Sequence, residues 1–198
     1  VYRNDTKQKG GRHVAGLYEL DLTQVSEAEI QQWIAEMDDV SRTRVLSLGK
    51  KRMRESVAGD HLARTALMKM SGKAAQEILI RRTETGKPYA DEGCFSISHS
   101  GETVVCAVSE TPVGVDVERI RKSPARVAQR YFTEEERVRL ETDETEFWRI
   151  WTGKEALCKL SGEGLAGLGS CDTLRPPAGV KLHTLVRADY VITVAELD

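Results

Sequence analysis

Apolar residues recur along this chain with two periods, and the points where the period changes divide it into elements. Val14, Gly16, Tyr18, Leu20 and Leu22 alternate with polar neighbours and predict a strand over 13–22. Ser26-Glu27-Ala28-Glu29 is a capping-box pattern that opens a helix to about residue 37. Asp38-Asp39-Val40-Ser41 breaks and restarts it. Residues 41–72 then read as mostly helical, interrupted at Ser47-Leu48-Gly49, with a basic cluster of Lys50, Lys51, Arg52 and Arg54 and a stop at Gly72. A short strand over 78–82, a turn through Glu84, Gly86 and Pro88, and a hairpin of strands 94–98 and 103–109 follow. His99-Ser100-Gly101-Glu102 is its expected connection.

The second half changes period at signals of the same kind. Gly114-Val115-Asp116-Val117-Glu118 alternates as a strand, so Asp116 and Glu118 share one face. Pro124 interrupts the chain, residues 127–131 read as a helix, and Thr133-Glu134-Glu135-Glu136 opens another to about residue 140. A longer helix over 148–161 closes at Gly162-Glu163-Gly164. Two alternating runs, 180–186 and 190–196, make a hairpin around Arg187-Ala188-Asp189. The stretch 171–177 follows neither period.

The halves repeat each other. Ala66-Leu67-Met68-Lys69-Met70-Ser71-Gly72 matches Ala156-Leu157-Cys158-Lys159-Leu160-Ser161-Gly162 in residue type at nearly every position, and each is preceded by a glycine-led strand at Gly16 or Gly114. The expected architecture is α+β, two similar αβ halves related by a pseudo-two-fold axis. A loose arm over 1–11 leads into a first half over 12–110 and a second over 111–198, with a cleft between the copies. Thr65 stands opposite Glu155, and Arg64 opposite Lys154. The first copy would then offer the cleft a hydroxyl and basic groups where the second offers acid.

Composition narrows the function classes. With 198 residues and 40% hydrophobic content the chain can bury a core, and a net charge of −2 gives nucleic acid or an anionic membrane no overall attraction. No apolar run is long enough to span a bilayer and no amino-terminal signal pattern is seen, so a cytoplasmic protein is expected. Cys94, Cys106, Cys158 and Cys171 form no C-x-x-C pair and read as free, mostly buried thiols.

On the long helix Trp151, Glu155 and Lys159 fall one turn apart. If it packs on the strand of Asp116 and Glu118, three carboxylates meet an ammonium. Such an oxygen-only set suits Mg²⁺, and Mn²⁺ equally, with Lys159 neutralising phosphate charge. The competing readings are a solvated acidic edge and an exposed i,i+4 salt bridge. Trp148 and Trp151 weigh against both, being large side chains wasted on a solvated face. Ser98 and His99 at a strand end suit phosphate binding better than hydrolysis, since the G-x-S-x-G nucleophile pattern is absent.

Four motifs occur in order: Arg82-Thr83-Glu84-Thr85-Gly86-Lys87-Pro88; Phe95-Ser96-Ile97-Ser98-His99-Ser100-Gly101; Val113-Gly114-Val115-Asp116-Val117-Glu118; and Trp151-Thr152-Gly153-Lys154-Glu155-Ala156-Leu157-Cys158-Lys159, followed by Gly162-Glu163-Gly164-Leu165. Together they resemble the 4′-phosphopantetheinyl transferases of the larger, pseudodimeric type that activates peptide and polyketide synthases. The resemblance departs from the family pattern at Tyr89-Ala90-Asp91-Glu92, which lacks a second proline, and at the late Pro124. It implies transfer of the 4′-phosphopantetheine arm of coenzyme A to a serine of an apo acyl or peptidyl carrier protein. Adenosine 3′,5′-bisphosphate would be released, in fatty-acid, polyketide or nonribosomal peptide synthesis.

By the same resemblance Asp116, Glu118 and Glu155 hold the metal, while Asp116, Glu155 and Lys159 are catalytic. Glu155 takes the serine proton instead of holding the metal or besides doing so, and Lys159 pairs with a phosphate oxygen. Arg82, Lys87, Ser98 and His99 bind phosphates, and Thr65, Lys50 and Arg52 lie toward the adenosine end. Residues 132–140 are where the family docks its carrier, and a duplicated chain is expected to act as a monomer. A metal-dependent coenzyme A pyrophosphate hydrolase and a non-catalytic coenzyme A or carrier-binding module are the rival readings.

Overall fold

A computed structural model describes residues 3–4, 15–84, 86–140, 143 and 145–198. The structure is mixed α+β, and the chain divides into two compact units, Val1–Glu110 and Thr111–Asp198. Among the described residues no helix is long and apolar enough to cross a membrane.

Unit 1 runs through β1 (Arg3–Asn4), β2 (Gly16–Asp21), α1 (Glu27–Ala35), α2 (Asp39–Leu46), α3 (Lys50–Ser71), β3 (Arg81–Arg82), β4 (Pro88–Tyr89), β5 (Cys94–Ser100) and β6 (Thr103–Ser109). Local chemistry sets the helix ends. Ser26 and Glu29 form the capping box of α1, the Asp38 side chain accepts from the Ser41 N–H to start α2, and Gly72 ends α3 at φ 74°, where a side chain would be strained. An antiparallel sheet in the order β1-β2-β6-β5 takes α3 across β2, β6 and β5. Ile30, Val45, Leu62, Leu67, Ile78 and Val104 are fully buried between these layers.

Several expectations shift here. Of the arm over 1–11, Arg3 and Asn4 pair with Glu19 and Tyr18 of β2, and the rest lies outside the described residues, as do His13, Val14 and Thr85. The 94–109 hairpin is tighter than its connection suggested. His99 and Ser100 belong to β5, Ser100 pairs with Thr103, and the reversal needs only Gly101, at φ 62°, and Glu102. Only Arg81 and Arg82 of the 78–82 run are strand, because Ile78 and Ile80 turn into the core. Arg64 is an internal residue of unit 1. It is buried, its Nε donates to Asp60 Oδ2 at 2.8 Å, and it also donates to the Ile78 carbonyl, tying the end of unit 1's loop to α3.

Unit 2 contains β7 (Val113–Arg119), α4 (Ala125–Tyr131), α5 (Glu134–Arg139), α6 (Glu146–Ser161), β8 (Val180–Val186) and β9 (Tyr190–Leu197). Its sheet runs β7-β9-β8, all antiparallel, with α6 packed on β7 and β9. An aromatic cluster of Phe132, Phe147 and Trp148, with Trp151 stacked on Phe147, seats α4 and α5 against α6. Lys154, the counterpart of Arg64, is likewise internal. Its ammonium lies 2.8 Å from Glu136 Oε2 with both side chains fully buried, and it donates to the Cys171 carbonyl. Glu136 also accepts from the Thr133 N–H and from the N–H and hydroxyl of Thr173, so the buried charge is compensated on both oxygens.

In unit 1 His61 of α3 stacks on Trp33 of α1, ring centroids 4.0 Å apart. Burial pulls its pKa down from 6.5 to about 4. The unfolded chain therefore binds a proton that the native ring refuses between those values. The stability contribution of His61 is full above pH 6.5 and falls as the pH drops toward 4, with a slope below the one-proton limit of about 1.4 kcal/mol per pH unit, since the partly exposed ring is screened. Denaturation of the wild type and His61→Phe across this range should show the slope reduced in the variant; equal slopes would remove His61 as its cause.

Candidate active site

The acidic strand and the long helix meet in unit 2. At Gly114 an added Cβ would lie 2.0 Å from the Ala156 carbonyl oxygen and 2.6 Å from the Leu160 nitrogen, so β7 and α6 touch backbone to backbone. That approach sets the side chains on either side. Lys159 Nζ donates to Asp116 Oδ1 at 2.8 Å, and Asp116 is only 4% exposed, which removes the solvated-edge reading. Lys159 thus reaches the strand rather than serving merely as an exposed helix pair. Glu118 is half-buried, with Arg121 3.9 Å away at its outer end.

Glu155 stands in the same field. Its pKa is raised to about 7, first by burial and then by the charge of Asp116, with Lys159 opposing and Glu118 adding to the rise. Glu155 therefore senses both other carboxyls, and one ammonium does not offset them. Among the described residues no group of three or more His, Cys, Asp or Glu side chains stands ready-made to hold a metal ion. An oxygen donor set that is acidic but not a closed cage fits a hard cation that takes one or two carboxylates and completes its shell with waters and phosphate oxygens.

Unit 1 carries other chemistry at the positions aligned by sequence, and its Gly16 meets Tyr18 and Val108 rather than helix backbone. At the positions of Asp116 and Lys159 stand Tyr18 and Lys69, whose ammonium lies 5.2 Å from the Tyr18 ring centroid. Leu20 and Thr65 replace Glu118 and Glu155. Acid is confined to unit 2 at this corner.

Unit 1 instead carries a basic pocket of about 340 Å³, lined by Arg44, Arg52, Glu55, Asp60, Arg82 and His99 among others. Arg52, Arg82 and His99 of the expected ligand set come together there. Lys50, Thr65, Lys87 and Ser98 do not line it. Lys50 borders a second pocket with Lys51, Arg54 and Glu102, which separates the register within the basic cluster: position 52 faces one pocket, positions 50, 51 and 54 the other. Ser98 is buried next to exposed His99 because neighbours on a strand point apart, and Lys87 closes the 83–87 turn, its N–H donating to Thr83 Oγ1 at 3.1 Å.

Arg44 was not singled out from the sequence. It sits in α2, where its only signal was a charge on a helix, and it donates to Ser56 Oγ at 2.9 Å from the pocket wall. Asp60 is held by Arg64, and its pKa is raised chiefly by burial. Desolvation, then the Arg44 charge, lowers the pKa of Arg82. Two guanidiniums crowded in this way attract an anion with several oxygens.

Two family models match, one over each half. Residues 112–195 match the model described as 4′-phosphopantetheinyl transferase superfamily, and residues 24–111 the one described as 4′-phosphopantetheinyl transferase, N-terminal. The 4′-phosphopantetheinyl transferase HetI of Nostoc sp. is 31% identical over 185 residues, 85% of this chain and 77% of the relative. The chain belongs to the 4′-phosphopantetheinyl transferase superfamily. The transferase gsp of Aneurinibacillus migulanus is 38% identical over 116 residues, 56% of this chain and 49% of the relative. The transferase Sfp of Bacillus subtilis is 30% identical over 125 residues, 59% of this chain and 56% of the relative. The chain spans about half the length of these last two relatives.

In this phosphopantetheinyl transferase family member the Gly114 contact is open to direct test. Gly114→Ala places a methyl against backbone that cannot rotate away, and should cost about 3 kcal/mol or more in unfolding free energy. Thermal or denaturant unfolding of the variant checks this; wild-type stability would mean that β7 and α6 can separate freely.

Proposed function

We propose that this chain transfers the 4′-phosphopantetheine arm of coenzyme A to a serine hydroxyl of an apo acyl or peptidyl carrier protein, releasing adenosine 3′,5′-bisphosphate. The observation that carries this reading is the acidic corner of unit 2, where Lys159 pairs with Asp116 and both Asp116 and Glu118 raise the pKa of Glu155. Asp116, Glu118 and Glu155 would hold Mg²⁺, or Mn²⁺ with the same donors. Such an ion, when bound, offsets charge on the pyrophosphate as its bond breaks.

The chain's own groups supply the rest. Lys159 would exchange Asp116 for a phosphate oxygen, keeping a positive charge beside the leaving group. Glu155, whose pKa burial and the Asp116 charge raise, would take the serine proton as the oxygen attacks phosphorus. In unit 1, Arg44, Arg52, Arg82 and His99 would bind phosphate groups of coenzyme A in the basic pocket. Lys50, Thr65, Lys87 and Ser98 are assigned to the same ligand through the family resemblance alone.

The two units are read as copies of one module, the basis for expecting a pseudo-two-fold. Each runs strand, helices, hairpin, and in each the strand just before the helices pairs with the last strand of the hairpin: β2 with β6, β7 with β9. Both long helices end in Ser-Gly with the glycine left-handed, at φ 74° and 81°. A monomer acting in the cytoplasm is the form this reading takes.

Intact mass of an apo carrier protein after incubation with this chain, coenzyme A and Mg²⁺ tests the reaction. A gain of one phosphopantetheine arm, abolished by chelator, is expected. Consumption of coenzyme A without any gain would instead indicate hydrolysis, and binding with neither would indicate a non-catalytic module. Asp116→Asn should lower transfer at least about 100-fold with the fold retained by circular dichroism. Arg82→Ala should raise the KM for coenzyme A about tenfold with kcat little changed; an unchanged KM would take that pocket out of coenzyme A binding.

A further inference from the structure

Cys158 and Cys171 lie 13 residues apart in the chain, yet their sulfurs are 3.5 Å apart. Neither is placed there by chance packing alone. Gly162 reverses the chain after α6, a 3₁₀ turn over Gly164–Gly169 carries it back, and the Cys171 N–H bonds the Gly167 carbonyl at 3.2 Å. Buried Lys154 grips the Cys171 carbonyl, and two residues on Thr173 is fixed twice to Glu136. Cys158 is fixed within α6, and a Cβ at Gly167 would come within 3.3 Å of its sulfur. Both thiols are therefore presented to one another by backbone that is already anchored.

The geometry points to Cys158 and Cys171 as a disulfide-forming pair, a thiol modification site that takes a peroxide as oxidant and clamps the glycine-rich turn back onto α6. Both are free thiols in the structure, and the sulfurs must close by only about 1.5 Å to reach bonding distance. Cys171 is half-exposed and meets the oxidant first, while Cys158 is 2% exposed with its thiol pKa pushed up to about 12, first by burial. The Cys171 sulfur attacks a peroxide oxygen, the O–O bond breaks, and Cys171 becomes a sulfenic acid with release of water from hydrogen peroxide. The Cys158 sulfur then attacks the Cys171 sulfur. The S–S bond forms, the S–O bond breaks, and the departing hydroxide leaves as water with the Cys158 proton, so two thiols and one peroxide give one disulfide and two waters.

Closing the 158–171 loop removes freedom from the unfolded chain, so the oxidised protein should unfold at a higher temperature. The test treats the full chain with hydrogen peroxide, blocks remaining thiols, and maps non-reduced peptides by mass spectrometry beside a thermal melt. A cross-linked peptide joining Cys158 to Cys171, a mass lower by two hydrogens, and a Tm rise reversed by dithiothreitol are expected, with Cys106 left reduced in the core. Cys171→Ala, at a half-exposed position, should lose the cross-link and the Tm rise while folding normally. Stepwise over-oxidation of Cys171 with Cys158 still open to alkylation after unfolding would overturn the pair; a cross-link without any Tm change would overturn the clamp.

Discussion

A missing side chain at Gly114 governs the chemistry of unit 2. Because β7 and α6 meet there through backbone atoms, the separation of Asp116 from Lys159 and Glu155 is set by the two least adaptable parts of the structure. A site mounted on a strand and a helix in this way holds its groups more closely than one mounted on loops. One residue before Glu155, Lys154 anchors the helix again through its buried pair with Glu136. Burying that pair carries a desolvation penalty, offset only because both Glu136 oxygens are fully used. The result is a helix fixed against the sheet and against segments both before and after it.

On the proposed reading of the two units as copies, one framework serves two uses. The lysine one turn from the end of the long helix reaches its strand in both, but it meets an aromatic face at Tyr18 and a carboxylate at Asp116. Unit 1 has turned its polar chemistry to guanidiniums around a pocket, and unit 2 to carboxylates around a corner. Arg64 and Lys154, aligned by sequence, converge on one structural role, since each is buried, paired with an acid, and bonded to a carbonyl of a following segment.

What the sequence made legible was whatever depends on near neighbours. The capping boxes at Ser26 and Thr133, the stops at Gly72 and Gly162, and the shared face of Asp116 with the Glu155–Lys159 stripe all follow from short-range period and chemistry. Arg64 misled, since a basic side chain in a helix looks solvent-directed until the Ile78 carbonyl it reaches is known. Arg44 was invisible for the same reason, because its pocket is assembled from α2, α3, β5 and the strand of Arg82. The basic cluster could be seen but not oriented. Only the helix phase of α3 separates position 52 from positions 50, 51 and 54.

The strand orders carry a consequence for how the chain comes to be folded. In each unit the strand made last, β6 or β9, lies between strands made earlier, so neither sheet holds together before its final strand arrives. Unit 1 has all its strands by Ser109 and can close while the rest is still being synthesised. Unit 2 must keep β7, with its two acids on the face that α6 will cover and Val113, Val115 and Val117 on the other, unpaired until Tyr190–Leu197 has been made. During that interval the half that bears the acidic corner is also the half most exposed to pairing with the wrong strand.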